Sequence, residues 1–333
     1  MPRQFIRRAT LLIVLAALAN GASAQKTLKP QAAQAPWPSK AVKLLVGFPG
    51  GSSPDLMART LAEPLSKALG QPVIVENHPG AGGNIAANLV AKSTDNHTLG
   101  IMINGNLTIA KLLNPKSPFD PAKDLAPISL IGTAPLVLTA PASSTMPSAR
   151  EFFVAARDGG DKWNYGTPGN GTVGHIGMEL LKTKTNIAPV HVPYPGNPQV
   201  ITAMIGGQIQ MSLLPPGLAM PQVRAGKLRA IGVTSAGRSP LVPEVPSLSE
   251  GGVNNFQLEI WNAVAGPSTL PKPIVARLSS LFSEVARSPE IRQKLFNQGW
   301  QVAGTSAEGL ANRIKLDTDL LGGVITMRGI KTE

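Results

Sequence analysis

The chain has 333 residues, 43% of them hydrophobic and 15% charged, with a formal net charge of +12 at pH 7. That length is too great for a disulfide- or metal-stapled miniprotein and accommodates about two domains of ordinary size, and the hydrophobic share excludes a disordered chain. The positive charge favours anions, but apart from Arg7-Arg8 the lysines and arginines stand singly and form no basic stripe interleaved with aromatics, so nucleic acid is not expected as a partner.

At the N-terminus, Arg3, Arg7 and Arg8 lead into an apolar run, Ala9 to Ala19, that is too short to span a bilayer. Ala22-Ser23-Ala24 then supplies an A-x-A cleavage site before Gln25, so residues 1–24 are predicted to be a cleavable signal peptide and the mature protein to be periplasmic. The arginine pair is also compatible with twin-arginine export. The absence of cysteine means no disulfide, no lipid-modified cysteine and no thiolate chemistry. Residues 25–36 (QKTLKPQAAQAP) are polar and aperiodic, the pattern of a linker.

Regular patterning begins after Trp37. Strands are predicted at Val42 to Gly47, Val73 to Val75, Leu99 to Ile103 and Leu136 to Ala140, with helices at Asp55 to Leu69, Ala86 to Lys92 and Ala149 to Ala156. Further strands are expected at Trp163 to Gly166, Val190 to Val192, Ile209 to Leu213 and Leu228 to Val233, separated by helices at Ile176 to Lys182 and Pro198 to Ile205. Phe256 to Ala265 reads as a long strand, and helices follow at Ile274 to Arg287, Pro289 to Gln298 and Ala307 to Met327. The alternation indicates an α/β architecture with two, mainly parallel, sheets.

Two loops share a design suited to an anion. Phe48-Pro49-Gly50-Gly51-Ser52-Ser53-Pro54-Asp55 joins the first strand to the first helix, with Ser53 as expected N-cap and Pro54 at the first helical position. Thr167-Pro168-Gly169-Asn170-Gly171-Thr172-Val173-Gly174-His175 does the same later, with Thr172 as cap. Each aims unpaired backbone N–H groups and a helix N-terminus past the end of a strand, and two such ends facing each other would clasp a carboxylate. A third glycine-rich stretch, Glu76 to Asn84, also precedes a helix. Trp261 and Tyr194 are the aromatics expected near a ligand, with core packing as the competing reading.

Other templates fail. Gly169, Gly171 and Gly174 spell a dinucleotide fingerprint, but no acid stands near His191-Val192-Pro193-Tyr194, where the ribose would need one. There is no P-loop, no nucleophile elbow and no H-E-x-x-H, and the four histidines are too widely spaced for a local metal motif. His175 has no identifiable nucleophile or orienting acid beside it in sequence. No catalytic residue, metal or cofactor is expected.

The sequence resembles the Bug family, the periplasmic substrate-binding receptors of tripartite tricarboxylate transporters. The matching stretches are Trp37 to Lys40, Val46 to Asp55, Leu69 to Val73, Glu76 to Asn84, Asn164 to His175, His191 to Tyr194, Ala225 to Arg229 and Thr234 to Pro240. The resemblance implies a two-domain periplasmic-binding-protein fold, type II-like, with a hinge and an interdomain cleft. Domain 1 would comprise 37–137 plus 256–333, and domain 2 would be 138–255, inserted. It further implies a monomeric receptor that captures a small di- or aromatic carboxylate and delivers it to integral membrane transporter subunits. A receptor feeding a signalling protein is the alternative, followed by a periplasmic enzyme acting on a carboxylate. Ligand contacts carried over are Phe48, Pro49, Gly50, Gly51, Ser52, Ser53 and Asp55 of the first loop, and Thr167, Gly169, Asn170, Gly171, Thr172 and His175 of the second. Asn104 and Asn106 of the Asn104-Gly105-Asn106 loop match another cleft loop of the family; Tyr194 and Trp261, the aromatics already named, and Leu214, at the place of the family's Asp-Asn pair, complete the residues expected at a ligand. Where many members carry Asp-Asn, this chain has Leu213-Leu214-Pro215-Pro216, which removes a partner for a ligand ammonium and favours a carboxylate with an apolar or aromatic body. His78 replaces the family's usual Arg, and Gly50-Gly51-Ser52-Ser53-Pro54 shifts the usual loop order.

Overall fold

The computed structural model describes residues 37–330; the expected leader and linker, 1–24 and 25–36, lie outside them. In chain order the elements are β1 (Val42–Val46), α1 (Ser53–Leu69), β2 (Val73–Asn77), α2 (Asn84–Ala91), β3 (Thr98–Ile103), the short helices α3 (Asn104–Thr108), α4 (Ala110–Leu113) and α5 (Pro121–Asp124), β4 (Leu125–Pro135) and β5 (Val137–Pro141). Then come α6 (Ala149–Gly159), β6 (Asn164–Thr167), α7 (Val173–Thr185), β7 (Val190–Pro193), α8 (Asn197–Ile205), β8 (Ser212–Leu214), α9 (Pro216–Arg224) and β9 (Leu228–Val233). The chain finishes with β10 (Glu259–Pro267), α10 (Lys272–Arg287), α11 (Pro289–Asn297), β11 (Gln301–Val302) and α12 (Ala307–Arg328).

A six-stranded sheet has the order β11-β4-β10-β3-β1-β2, a three-stranded sheet the order β8-β5-β9, and β6 pairs with β7. The α/β class expected from the alternation is present, but the expected mainly parallel pairing is not. β1 runs parallel to β2 and β3, and β6 to β7, whereas β10 is antiparallel to both β3 and β4, β11 to β4, and β5 to both β8 and β9. A buried central strand is an apolar run in either direction, so residue pattern does not disclose its polarity.

Each layer is built by amphipathic spacing. In α1 the buried side is Met57, Ala58, Leu61, Leu65 and Leu69, and Gly70 ends the helix in the left-handed region, its N–H donating to the Ser66 carbonyl. Leu45, Val90, Met102, Leu130, Trp261 and Leu310 form a core on the first sheet. A second core gathers Leu138, Phe152, Tyr165, Ile176, Met211 and Leu213, and a third Val137, Val200, Met204, Leu214 and Val233. Helix α12 packs on β4, α3 and α7.

The chain passes from the first sheet to the second at Leu136 and returns over 234–258. Thr234, fully buried, joins the two passages. Its backbone N–H donates to the Leu136 carbonyl (2.9 Å), its Oγ1 accepts from the Leu136 N–H (2.8 Å) and donates to the Leu258 carbonyl (2.7 Å), and its own carbonyl accepts from the Leu258 N–H (3.0 Å).

Candidate ligand-binding site

The first loop is held from below. Gly51, at φ +79°, donates its N–H to Asp55 Oδ2 (2.9 Å), and Asn77 Nδ2 donates both to Asp55 Oδ1 and to the Phe48 carbonyl (2.9 Å each). Arg59 Nε adds a third donor to the carboxylate at 3.0 Å. Burial works to raise the Asp55 pKa, but the hydrogen bonds from Arg59, Asn77 and Gly51 outweigh it and hold the carboxyl below its ordinary range. The helix cap is Ser52 rather than the expected Ser53, and its side chain makes no capping hydrogen bond. The first turn of α1 therefore keeps its N–H groups free of side-chain partners.

The second loop rises from β6. Thr172 caps α7 as expected, accepting from the His175 N–H (3.4 Å), while its Oγ1 donates to the Gly169 carbonyl (2.8 Å). The loop lies directly on the third glycine-rich stretch: a Cβ on Gly82, which sits at φ +60°, would come within 2.5 Å of the Asn170 carbonyl oxygen. Asn106 fixes that stretch, its Nδ2 donating to the Gly82 carbonyl (2.9 Å) and to Asn84 Oδ1 (2.8 Å).

Between these loops is a cavity of about 40 Å³. Its polar walls are Ser52, Ser53, Asn104, Thr172, Asn197 and Asn262, and its apolar walls include Phe48, Ile103, Leu136, Val173, Leu213 and Ile260. Among the described residues, no Lys, Arg, His, Asp or Glu lines it. The N-termini of α1, α7 and α8 meet there instead, through Ser52 and Ser53, Thr172 to Gly174, and Asn197. Three helix ends of this kind favour negative charge without a formal cation. Among the described residues, seven buried side-chain polar atoms find no hydrogen-bond partner in the protein, and four belong to these walls: Ser52 Oγ, Asn104 Oδ1, Asn197 Oδ1 and Asn262 Nδ2. Such concentration is what a polar ligand's site requires, since an unmatched buried polar group is costly.

Of the residues expected at a ligand, Phe48, Ser52, Ser53, Asn104 and Thr172 lie in the cavity wall. Pro49, Gly50 and Gly51 complete the first loop, with Pro49 packed against Gly196, and Asp55 braces it. Thr167, Gly169, Asn170 and Gly171 shape the second loop outside the cavity, and Asn106 braces the third stretch. The remaining four are placed elsewhere. Trp261 is fully buried in the first core with its Nε1–H donating to Asp317 Oδ2 (2.5 Å). Leu214 is core and its neighbour Leu213 lines the cavity, because successive residues of a strand face opposite ways. Tyr194 packs against the third core, and His175 sits in a ring stack behind the loop. Asn197 and Asn262 were missed from the sequence. Asn262 did leave a signal, as a polar residue inside the apolar run Ile260 to Val264 that is only 1% exposed.

Behind the second loop, Tyr165, His191 and His175 stack face to face, with ring centroids 4.8 and 4.4 Å apart. His191 Nε2 bonds Thr167 Oγ1 (2.6 Å), His175 Nδ1 accepts the Gly171 N–H (3.3 Å), and Tyr165 donates to Glu179, which Lys182 also engages at 2.9 Å. Burial, with the His175 charge second, pushes His191 down to about 4, and burial lowers His175 as well. Both imidazoles are thus neutral in the fold at neutral pH but gain protons in the unfolded chain near 6.5. The contribution of His191 to stability is complete above 6.5 and is lost as pH falls toward 4, and that of His175 falls in the same direction. The melting temperature should therefore drop between pH 6.5 and 5, and the slope over that interval should flatten in His191→Gln; an unchanged slope would show that the stack does not bury neutral imidazole.

Residues 57–330 match the family model described as "Tripartite tricarboxylate transporter family receptor". Protein BugT of Bordetella pertussis is 30% identical over 265 residues, 79% of this chain and 81% of that one. Among solved structures, MatC from Rhodopseudomonas palustris with bound malate is 30% identical with a TM-score of 0.82, covering 87% of this chain and 100% of its own. A second R. palustris structure, with adipate, is 29% identical with a TM-score of 0.85, covering 89% and 99%. Among the described residues no helix is long and apolar enough to cross a membrane, and no group of His, Asp and Glu is arranged to hold a metal ion.

Proposed function

Because the chain belongs to the tripartite tricarboxylate transporter receptor family, whose members are periplasmic solute-binding proteins rather than enzymes, we propose that it captures a small carboxylate and hands it to membrane transporter subunits. The observation that carries this reading is the convergence of three helix N-termini and four unpartnered polar atoms on one cavity without a charged side chain. Malate and adipate in the two related structures support the ligand class. The apolar part of the wall favours an apolar or aromatic carbon body, and the absence of an acid disfavours an amino acid.

In this proposal residues 37–137 with 256–333 form one lobe, 138–255 the other, and 1–24 are removed on export. In the same proposal the ligand enters when the lobes part at Leu136 and Thr234 and is enclosed as they close around it. Thermal unfolding of the chain from Gln25 tests the reading, against mono-, di- and aromatic carboxylates with amino acids and sugars as controls. A carboxylate at about 100 times its dissociation constant should add about 2.7 kcal/mol, or about 4 °C for a chain of this size, and be recovered unchanged. Response only to sugars, or turnover of the bound acid, would overturn it.

A further inference from the structure

The cavity wall asks for more than an anion. Asn104, 1% exposed, donates from Nδ2 to the Glu259 backbone carbonyl at 3.2 Å. A carbonyl only accepts, so this contact fixes which end of the amide is which: the other end, Oδ1, is an acceptor. That oxygen is buried and receives no hydrogen bond from the protein. An ionised carboxylate has no hydrogen to give it. An ammonium has, but no Asp or Glu lines the cavity to balance the charge, and burial would drive such a group to its neutral form. A neutral O–H satisfies the oxygen without adding charge. Ser52 Oγ and Asn262 Nδ2, also unpartnered, together with the free N–H groups of the helix ends, supply the donors that the carboxylate needs.

We propose that the captured carboxylate also carries a hydroxyl group, and that Asn104 Oδ1 is the acceptor that reads it. The inference rests on the carboxylate-receptor reading and narrows it to hydroxy-carboxylates with an otherwise apolar body. Family membership does not decide the matter, since malate bears such a hydroxyl and adipate does not.

Titration calorimetry on the chain from Gln25 tests this with matched sets of parent acid, hydroxy acid and amino acid: succinate, malate and aspartate; butyrate, 3-hydroxybutyrate and 3-aminobutyrate; 3-phenylpropionate, 3-phenyllactate and phenylalanine; 4-methylbenzoate, 4-(hydroxymethyl)benzoate and 4-(aminomethyl)benzoate. In at least one set the hydroxy acid should bind at least tenfold more tightly than its parent, with the amino analogue weaker than both. Asn104→Leu should shrink that preference below threefold, whereas Asn262→Leu should weaken hydroxy acid and parent together and leave their ratio intact. Equal binding of the two acids in every set that binds would overturn the hydroxyl inference and leave the carboxylate reading standing. No binding by any acid would overturn the reading beneath it. Full preference in a folded Asn104→Leu chain would remove Asn104 from the role. Should that variant not fold, the ratio on the native chain still decides the hydroxyl inference.

Discussion

Trp261→Ala should cost about 3–5 kcal/mol of unfolding free energy, measured by urea denaturation, the range for deleting a large buried aromatic. Trp261 is fully buried at the centre of the six-stranded sheet, and its indole N–H is spent on Asp317. Arg313 holds the other oxygen of Asp317 through Nε (2.9 Å) and reaches Glu259 through its NH2 group (3.2 Å), so the indole anchors α12 to the sheet through a charged relay. The gentler Trp261→Phe removes the hydrogen bond while filling most of the space. It should lower stability by about 1–3 kcal/mol, the penalty for stranding a buried acceptor, and leave carboxylate affinity within about threefold. Loss of binding at unchanged stability would return Trp261 to the ligand.

Gly217→Ala should have the opposite signature. A Cβ at Gly217, in the first turn of α9, would lie 1.9 Å from the Gln298 carbonyl oxygen just beyond α11. The two segments belong to different proposed lobes, and their contact is far tighter than any side chain tolerates. Separated lobes have no such clash, so the free protein should melt within about 2 °C of the native chain. The closed state is penalised, and carboxylate affinity should fall at least tenfold, about 1.4 kcal/mol, although the altered residue is outside the cavity wall. Calorimetry with small-angle scattering separates the cases: a lower melting temperature with unchanged affinity would mean that the contact is permanent packing and not part of closure.

How much of this was legible in the sequence follows from what side chains disclose. α1 was readable because Leu61, Leu65 and Leu69 recur at helical spacing before Gly70, and both strand-to-helix loops because glycine and a capping hydroxyl mark such a turn. β4 escaped because Pro127, Ser129, Gly132 and Thr133 break its apolar run, although strand pairing still buries Ser129 completely. α9 escaped because Pro216 and Pro221 read as loop residues, yet one occupies the first turn and the other is accommodated within the helix. The site was half legible: residues on the two loops were nameable, whereas Asn197, Asn262 and Leu213 come from elements that meet only in three dimensions. Trp261 and Leu214 show the converse, since a large or apolar residue looks the same in a core as beside a ligand.

The threonine that joins the two strand passages has a practical consequence. Passages bonded side by side at Thr234 resist sliding past each other, so the proposed lobes are expected to move by bending and twisting there. A distance across the cleft should then change as ligand is captured. Because the sequence contains no cysteine, two introduced thiols would be the only labelling sites, and the chain becomes a ready frame for an optical reporter of its own ligand.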